Sequence, residues 1–157
     1  LVEYWGGACI MELVLDVEIP GTPMAVQSVR SVQAGKFIRH YQPAKVTNWK
    51  GYIRAFIVSK LPENWTLLDG GIAVEYEFVF PPLKSMKKKT KQDIEAGEII
   101  YKITKPDLED NLKKGLNDAM TGIVWTDDSR IALGKGRKIY GTVPKIGIKV
   151  FTGLRTE

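Results

Sequence analysis

Two stretches of the chain alternate apolar and polar residues with a period of two, which is typical of strands with one buried face. Residues 13–19 end at a Pro-Gly turn. Residues 72–80 end at a Pro-Pro pair, and proline has no backbone N–H that could bond to a neighbouring strand. Residues 130–140 and the alternating residues 146–150 flank a short turn at 141–143. This last pattern predicts a closing β-hairpin.

Two other stretches place apolar residues at helical spacing. In residues 47–60 they recur at i, i+3, i+4, i+7 and i+8, with Thr47 or Asn48 as N-cap. Residues 109–121 carry a second apolar stripe, and Gly122 follows near the C-cap. We therefore predict a mixed α/β fold with two main helices on one mixed sheet.

The remaining segments lack a convincing period. Residues 21–42 predict a basic loop or short extended pieces, and residues 83–104 predict a long lysine-rich loop with a short extended piece at 99–103. The clean strand pattern begins only after Met11. We interpret residues 1–10 as an N-terminal extension and residues 11–157 as one domain.

Composition narrows the class of protein. A chain of 157 residues with 44% hydrophobic and 26% charged residues can bury one core, which excludes a mostly disordered protein. The single cysteine, Cys9, cannot form an internal disulfide, as expected in a reducing compartment. No uncharged apolar run is long enough to span a bilayer. We therefore expect a cytoplasmic protein with no membrane partner.

Positive charge is concentrated in two places, although the formal net charge is only +5. Between Ile19 and Pro62 there are seven basic residues and no acidic one, and five lysines follow within residues 84–91. Such clusters are candidate phosphate-binding surfaces, and ordinary solvated lysines are the alternative. The only histidine, His40, lies in the first cluster, where a phosphate contact or plain surface exposure is more common than a role as general base.

Acidic residues gather at the start of the second predicted helix. Asp107, Glu109 and Asp110 lie where the helix dipole favours carboxylates. On an α-helix, Asp110 and Lys114 share the polar face. An N-cap with an i,i+4 ion pair worth about 0.2–0.5 kcal/mol explains these residues equally well, and Asp118 fits the same explanation.

A second acidic pair, Asp127-Asp128, follows Trp125. Adjacent aspartates usually form turns. If the fold brings them to the start of the second helix, a cation must neutralise the crowded carboxylates, and oxygen ligands favour Mg²⁺ or Mn²⁺. Motifs of competing chemistry are missing from the sequence, including a Cys–His pair, G-x-S-x-G and Walker A.

The chain resembles the RusA family of Holliday junction resolvases, which are common on phages and prophages. The resemblance spans about residues 11–151 and includes several motifs in the family's order. They are Ile19-Pro-Gly-Thr-Pro23, Tyr41-Gln-Pro-Ala-Lys45, Phe78-Val-Phe-Pro81, Lys105-Pro-Asp-Leu-Glu-Asp-Asn-Leu-Lys-Lys114 and Trp125-Thr-Asp-Asp-Ser-Arg-Ile131.

The resemblance implies a homodimeric, Mg²⁺-dependent endodeoxyribonuclease of recombination and repair that cuts symmetrically across four-way DNA. It also implies Asp110, Asp128 and an upstream acid as metal ligands and catalytic residues, with Lys114 as catalytic lysine. For DNA contacts we select the basic residues Arg30, Lys36, Arg39, Lys45, Lys84, Lys87, Lys88 and Lys89. The rival interpretation is a catalytically silent, basic DNA-binding protein that retains the fold.

One departure from the family pattern concerns the first ligand. The family separates its first two aspartates by one residue, whereas two residues separate Asp107 from Asp110 here. Either Asp107 or Glu109 must then substitute. We favour Asp107, because extended chain after Pro106 can absorb one extra residue as a bulge. Glu109 and Asp127 remain as further possible ligands.

Overall fold

A five-stranded mixed sheet with helices on one face forms the fold. This computed structural model describes residues 2–4, 7–26, 30–41 and 43–157, without the side chains of 2–4, 7–9, 30, 40 and 41. The strands are β1 (Val2–Tyr4), β2 (Gly7–Cys9), β3 (Glu12–Pro20), β4 (Arg30–Ala34), β5 (Phe37–Tyr41), β6 (Ile72–Phe80), β7 (Ile100–Tyr101), β8 (Ile131–Tyr140) and β9 (Lys145–Thr152). The helices are α1 (Ala44–Lys60), α2 (Lys88–Glu95) and α3 (Lys114–Met120), with a π-helical turn at Leu108–Lys113 and a 3-10 turn at Asp128–Arg130.

Strand β6 occupies the centre of the sheet, whose order is β3-β9-β6-β8-β7. It pairs in parallel with β8 and antiparallel with β9. Seven of its nine residues are buried: the whole face that contains Phe78, and the two ends of the opposite face, where Glu75 and Glu77 are only partly buried. The predicted closing hairpin is wrong, because β6 lies between β8 and β9, which are consecutive in sequence.

The core lies between the sheet and the helices. The period-two prediction for residues 13–19 and 72–80 is confirmed, because alternate residues of β3 and β6 join one buried cluster. Ile19 and Phe78 are fully buried there, together with Ile53 of α1 and Leu116 of α3. Within the described residues, no helix is both long and apolar enough to cross a membrane.

Helix α1 begins three residues before the predicted start at 47. Pro43 occupies the N-cap position with φ −56°, and its carbonyl accepts the amides of Val46 and Thr47 at 2.9 and 3.2 Å. Because proline fixes φ and needs no donor at a helix start, it can initiate the helix without a side-chain cap. The buried face carries Val46, Trp49, Ile53 and Ile57, whereas Tyr52 is exposed.

The lysine-rich segment is not wholly irregular, so that part of the prediction is wrong. Helix α2 forms there with Ile94 buried. Lys89 forms an i,i+4 ion pair with Asp93 at 3.6 Å, and the Lys91 ammonium donates to the Lys84 carbonyl at 2.8 Å. Local partners therefore offset the repulsion on which the loop prediction depended. The short extended piece predicted at 99–103 is confirmed as β7.

Residues 30–41 form a hairpin in which β4 pairs only with β5 within the described part of the chain. The prediction of short extended pieces is confirmed for this part of residues 21–42, and the pairing of the two pieces is new. Strands β1 and β2 form another two-stranded sheet within residues 1–10. Whether residues 1–10 are an extension outside the domain stays a prediction.

The chain approaching this hairpin packs tightly on α3. A methyl group at the buried Gly115 would overlap the Val26 side chain, lying 2.7 Å from its Cβ. Glycine is unfavourable inside a helix, so its presence at this position allows the close approach. In contrast, a methyl group at Gly51 of α1 would meet no atom within 4 Å among the described residues.

We predict opposite effects for two glycine-to-alanine changes in helices. Gly51→Ala should raise the free energy of unfolding by about 0.5–1 kcal/mol, because it gains helix propensity in open space. Gly115→Ala gains the same propensity but must displace Val26, and overpacking of this kind costs about 1–3 kcal/mol. Urea denaturation of both variants measures the difference. Stabilisation by Gly115→Ala would show that the Val26 contact is not close.

Candidate active site

The acidic segment enters α3 through a π-helical turn. The Leu112 amide donates to the Asp107 carbonyl at 3.1 Å, which is an i to i−5 hydrogen bond. Such a turn holds one residue more than an α-helical turn. The helix predicted at 109–121 is therefore a π turn followed by α3. A turn of this type can accommodate the extra residue relative to the family pattern. The chain before it is extended at Asp107, as predicted.

A cavity of about 420 Å³ lies where the π turn, α3, the 3-10 turn and two strands meet. It brings together three of the residues selected from the sequence, namely Glu109, Lys114 and Asp128. Asp107 and Asp110 are exposed and do not line it. The other lining residues are Tyr76, Lys113, Asn117, Ile131 and Gly134.

Lys113 is the charged residue among the cavity residues that the sequence analysis did not select. Its ammonium donates to both carboxylate oxygens of Glu109 at 2.8 and 2.9 Å and lies 5.2 Å from the centroid of the Tyr76 ring. Its side chain is only 12% exposed. The i,i+4 ion pair at this turn thus joins Glu109 to Lys113, whereas the sequence placed one between Asp110 and Lys114.

Two glycines of β8 make room for the Lys113 side chain. A Cβ at Gly136 would lie 3.3 Å from Lys113 Cδ, and one at Gly134 would lie 3.6 Å from its Nζ. Register places both glycines on the same face of the sheet as Tyr76, whose hydroxyl donates to Asn117 Oδ1 at 2.7 Å. The glycine-lysine-glycine piece in the sequence was the available signal, but it matched no phosphate-binding motif.

Asp127 and Asp128 have different environments. The Ser129 amide donates to Asp127 Oδ1 at 2.8 Å, so Asp127 caps the 3-10 turn. Hydrogen bonding to Ser129, aided by the charge of Arg130, holds the pKa of Asp127 below its ordinary value. Asp128 instead lines the cavity. The interpretation that these aspartates form a turn therefore applies to Asp127, whereas Asp128 remains the candidate metal ligand.

A buried tryptophan holds the loop that carries these aspartates. Trp125 is fully buried, and its indole N–H donates to the Thr121 hydroxyl at 3.1 Å. The flanking backbone is bonded to Leu68, whose amide donates to the Val124 carbonyl and whose carbonyl accepts from Thr126, both at 3.0 Å. Asp128 thus lies only three residues after Trp125, whose position is fixed by burial and hydrogen bonding.

Two lysines hold the chain before Asp107. The Lys138 ammonium donates to the carbonyls of Thr104 and Pro106, each at 2.7 Å. Lys102 is buried, and its ammonium donates to the Thr104 hydroxyl at 2.6 Å. Two aromatic rings lie beneath the Lys102 ammonium at 5.2 and 5.4 Å. These cations therefore have structural partners in the fold.

The first basic cluster also divides into structural and exposed residues. The Arg54 guanidinium donates to the carbonyls of Ala119 and Thr121 at 2.9 and 3.0 Å, which satisfies the C-terminal end of α3. Lys50 pairs with Asp118 at 3.7 Å. The selected DNA-binding residues with described side chains are all exposed: Lys36, Arg39, Lys45, Lys84, Lys87, Lys88 and Lys89. The side chains of Arg30, His40 and Cys9 lie outside the described residues.

The oxygen donors of the cavity suit a hard divalent cation. Glu109 and Asp128 supply carboxylates and Asn117 supplies a carboxamide. Mg²⁺ is commonly bound by one or two carboxylates, with water and substrate phosphates completing the set. Over the residues whose side chains are described, no group of three or more Asp, Glu, His or Cys is arranged to hold a metal ion. Both Glu109 oxygens already accept from Lys113, and Asn117 Oδ1 accepts from Tyr76. A cation held here would share these donors and would need water and a phosphate as further ligands.

Comparisons with known proteins point to one family. The family model described as Endodeoxyribonuclease RusA matches residues 20–151. The "Uncharacterized protein YqaN" of Bacillus subtilis (strain 168) is 31% identical over 133 residues, covering 83% of this chain and 90% of that protein. The family match includes the hairpin β4–β5, all three α-helices and the whole cavity described above.

Proposed function

Because the chain belongs to the RusA endodeoxyribonuclease family, we propose that it is a Mg²⁺-dependent endonuclease that resolves four-way DNA junctions in recombination and repair. The observation that supports this most directly is the cavity shared by Glu109, Lys114 and Asp128. Incubating a synthetic junction with the protein, with and without magnesium, tests the proposal. A bacterial or phage origin and a cytoplasmic location remain predictions from the sequence.

Hydrolysis of a phosphodiester requires stabilisation of negative charge at phosphorus. A divalent cation bound at the carboxylates would lower the pKa of water and neutralise phosphate charge. Lys114 lines the same cavity and is exposed, so its ammonium is available to a phosphate. Lys113 is instead bonded to Glu109, so it positions that carboxylate. Unchanged turnover in Lys114→Ala would contradict a catalytic role for Lys114.

We propose Asp107, Asp110 and Asp128 as metal ligands, with Glu109 and Asp127 as further candidates. Asp128 is supported by its place in the cavity, and Asp127 is less suited because Ser129 already occupies its carboxylate. Family motif order supports Asp110. For the first ligand the observations divide: extended backbone favours Asp107, whereas the shared cavity favours Glu109, although both Glu109 oxygens already accept from Lys113.

A catalytically silent DNA-binding protein is the second candidate. The observation in its favour is that, within the described side chains, Asp107, Asp110 and Asp128 do not form one metal-binding group. Both candidates bind branched DNA, so binding alone does not separate them. Magnesium-dependent nicking of the junction supports the nuclease, and tight binding without nicking supports the silent protein.

We propose that exposed basic residues in two places hold the DNA backbone. The first place is the hairpin and the start of α1, with Lys36, Arg39 and Lys45. The second place is the segment 84–89, which has four lysines before and at the start of α2. Arg30 begins β4 and belongs to the first group by position. Multiple phosphate contacts release counterions, so affinity should fall steeply with added salt. Affinity that is independent of salt would contradict this assignment.

We predict that Asp128→Asn reduces cleavage about 10²-fold or more, because charge stabilisation at the reacting phosphate is lost. Junction affinity should stay close to wild type, since the exposed lysines are unchanged. Asp127→Asn is the comparison variant: the Asp127 carboxylate caps a turn outside the cavity, and an asparagine oxygen can keep that cap, so cleavage should fall much less. Cleavage is measured on a labelled junction. Equal loss of activity in both variants would contradict the choice of Asp128 over Asp127 as the metal ligand.

A second pair of variants identifies the first ligand. We predict that Asp107→Asn raises the magnesium concentration needed for cleavage and suppresses the rate, whereas Glu109→Gln does so weakly. The physical reason is that loss of a ligand charge weakens a hard cation's binding. Magnesium titrations of the cleavage rate provide the measurement. The reverse order would identify Glu109, in agreement with its position beside Asp128 in the cavity.

We further predict a homodimer, because symmetric cutting across a two-fold junction requires two related active sites. A closed C₂ pair supplies them. Light scattering with and without junction DNA should give a protein mass of twice the 17.6 kDa chain. A protein that stays monomeric in both conditions would contradict the prediction.

A further inference from the structure

The hairpin β4–β5 exposes large apolar side chains. Every residue from 31 to 39 is exposed. Phe37 is 76% exposed, Ile38 is 67% exposed and Val32 is 48% exposed. A two-stranded hairpin is at best marginally stable in water, and exposed aromatic and aliphatic side chains on it indicate a surface that contacts a ligand.

Register assigns these side chains to two faces. Phe37 lies opposite Ala34, and Arg39 lies opposite Val32. Because alternate residues of a strand share a face, Phe37 and Arg39 lie on one face, and Ile38 lies on the other. Gly35, with φ +65°, begins the turn that ends at Lys36. Phe37 is thus the first strand residue after the tip and lies between two cations in sequence.

The positive charge of this region indicates which kind of ligand contacts Phe37. No acidic residue occurs between Ile19 and Pro62, so the hairpin lies in a wholly basic stretch of sequence. Aromatic rings set among cations are typical of surfaces that stack bases and hold phosphates. A protein partner requires acidic groups to match the same cations. Nucleic acid supplies both the π-face and the negative charge.

The hairpin begins close to the candidate active site. Val26 packs against Gly115, the neighbour of Lys114, which lines the cavity. Only four residue steps separate Val26 from Arg30, so the hairpin starts at most ~14 Å from that contact. After β5 the chain continues into α1, which packs against α3. Phe37 pairs with Ala34, which lies four strand residues or ~13 Å beyond Arg30. The exposed ring is therefore within about one turn of a DNA duplex (~34 Å) of the contact with α3.

We propose that Phe37 stacks on a nucleobase at the branch point of DNA, while Lys36 and Arg39 contact the flanking phosphates. This inference rests on the proposed function, because branched DNA is the substrate. A base beside a branch is easier to unstack than a base inside a duplex, since part of its stacking is already lost. The hairpin thus selects the branch, and the cavity acts on the backbone beside it.

Junction affinity in the absence of divalent metal tests the proposal. Phe37→Ala should weaken binding to a synthetic junction about tenfold and leave binding to linear duplex unchanged. Phe37→Trp should retain junction affinity, because it keeps an aromatic face, whereas Phe37→Leu should not. Ile38→Ala is the matched control: it removes a similarly exposed side chain from the opposite face of the same strand, and it should bind as wild type does.

A second substrate gives a coupling measurement. On a junction with abasic sites at the branch point, wild type and Phe37→Ala should bind equally, because the base that Phe37 contacts is missing. Several outcomes overturn the inference: binding by Phe37→Leu as tight as that of wild type, equal losses for Phe37→Ala and Ile38→Ala, or equal losses on duplex and junction. Halving of the mass by Phe37→Ala would show that the hairpin contacts a second copy of the chain instead.

Failure of this inference can be told from failure of the proposed function. All affinities in this test are measured without magnesium. If the wild type fails to cut a junction when magnesium is added, the proposed nuclease function is contradicted, but the test of Phe37 is unaffected. Normal magnesium-dependent cutting by the wild type, together with unchanged junction affinity in Phe37→Ala, overturns the role of Phe37 alone. Equal affinity of the wild type for junction and duplex contradicts both.

Discussion

Burial of one whole face of β6 at the centre of the sheet is the constraint on which the rest of the structure depends. Strand β6 is paired on both of its edges, with β8 and with β9, and its buried face is formed by Ile72, Val74, Tyr76, Phe78 and Phe80. Parallel pairing sets Ile131 beside Ile72, so the 3-10 turn before β8 lies at the same end as the start of β6. Asp128, in that turn, thereby reaches the cavity shared with α3.

Positive charge has two separate roles in this molecule. Lys102, Lys138 and Arg54 have structural partners within the fold, and the first two hold the chain that leads to Asp107. Lys36 and Lys88, by contrast, are exposed. The net charge includes both kinds of cation, although only the exposed cations can contribute to phosphate binding. The salt dependence expected of DNA binding should therefore reflect the exposed cations and not all 23 Lys and Arg.

Several features follow from the sequence alone, because they depend on local pattern. Alternation predicted β3 and β6, the apolar stripe predicted most of α1, and Gly122 adopts the positive φ (+82°) expected near a helix C-cap. The motif from Lys105 to Lys114 indicated the family, which the match over residues 20–151 confirmed. Such a motif can be recognised in the sequence because the chemistry of the site requires those residue types near one another.

Only the tertiary structure decided which strands are neighbours and which carboxylates meet. The pattern at residues 130–150 favoured a hairpin, since no local signal reveals that β6 inserts between β8 and β9. Helical geometry placed Asp110 beside Lys114, but the π turn changes the spacing and pairs Glu109 with Lys113. Strand order and the type of a helical turn result from burial summed over the whole core, which short windows of sequence do not contain.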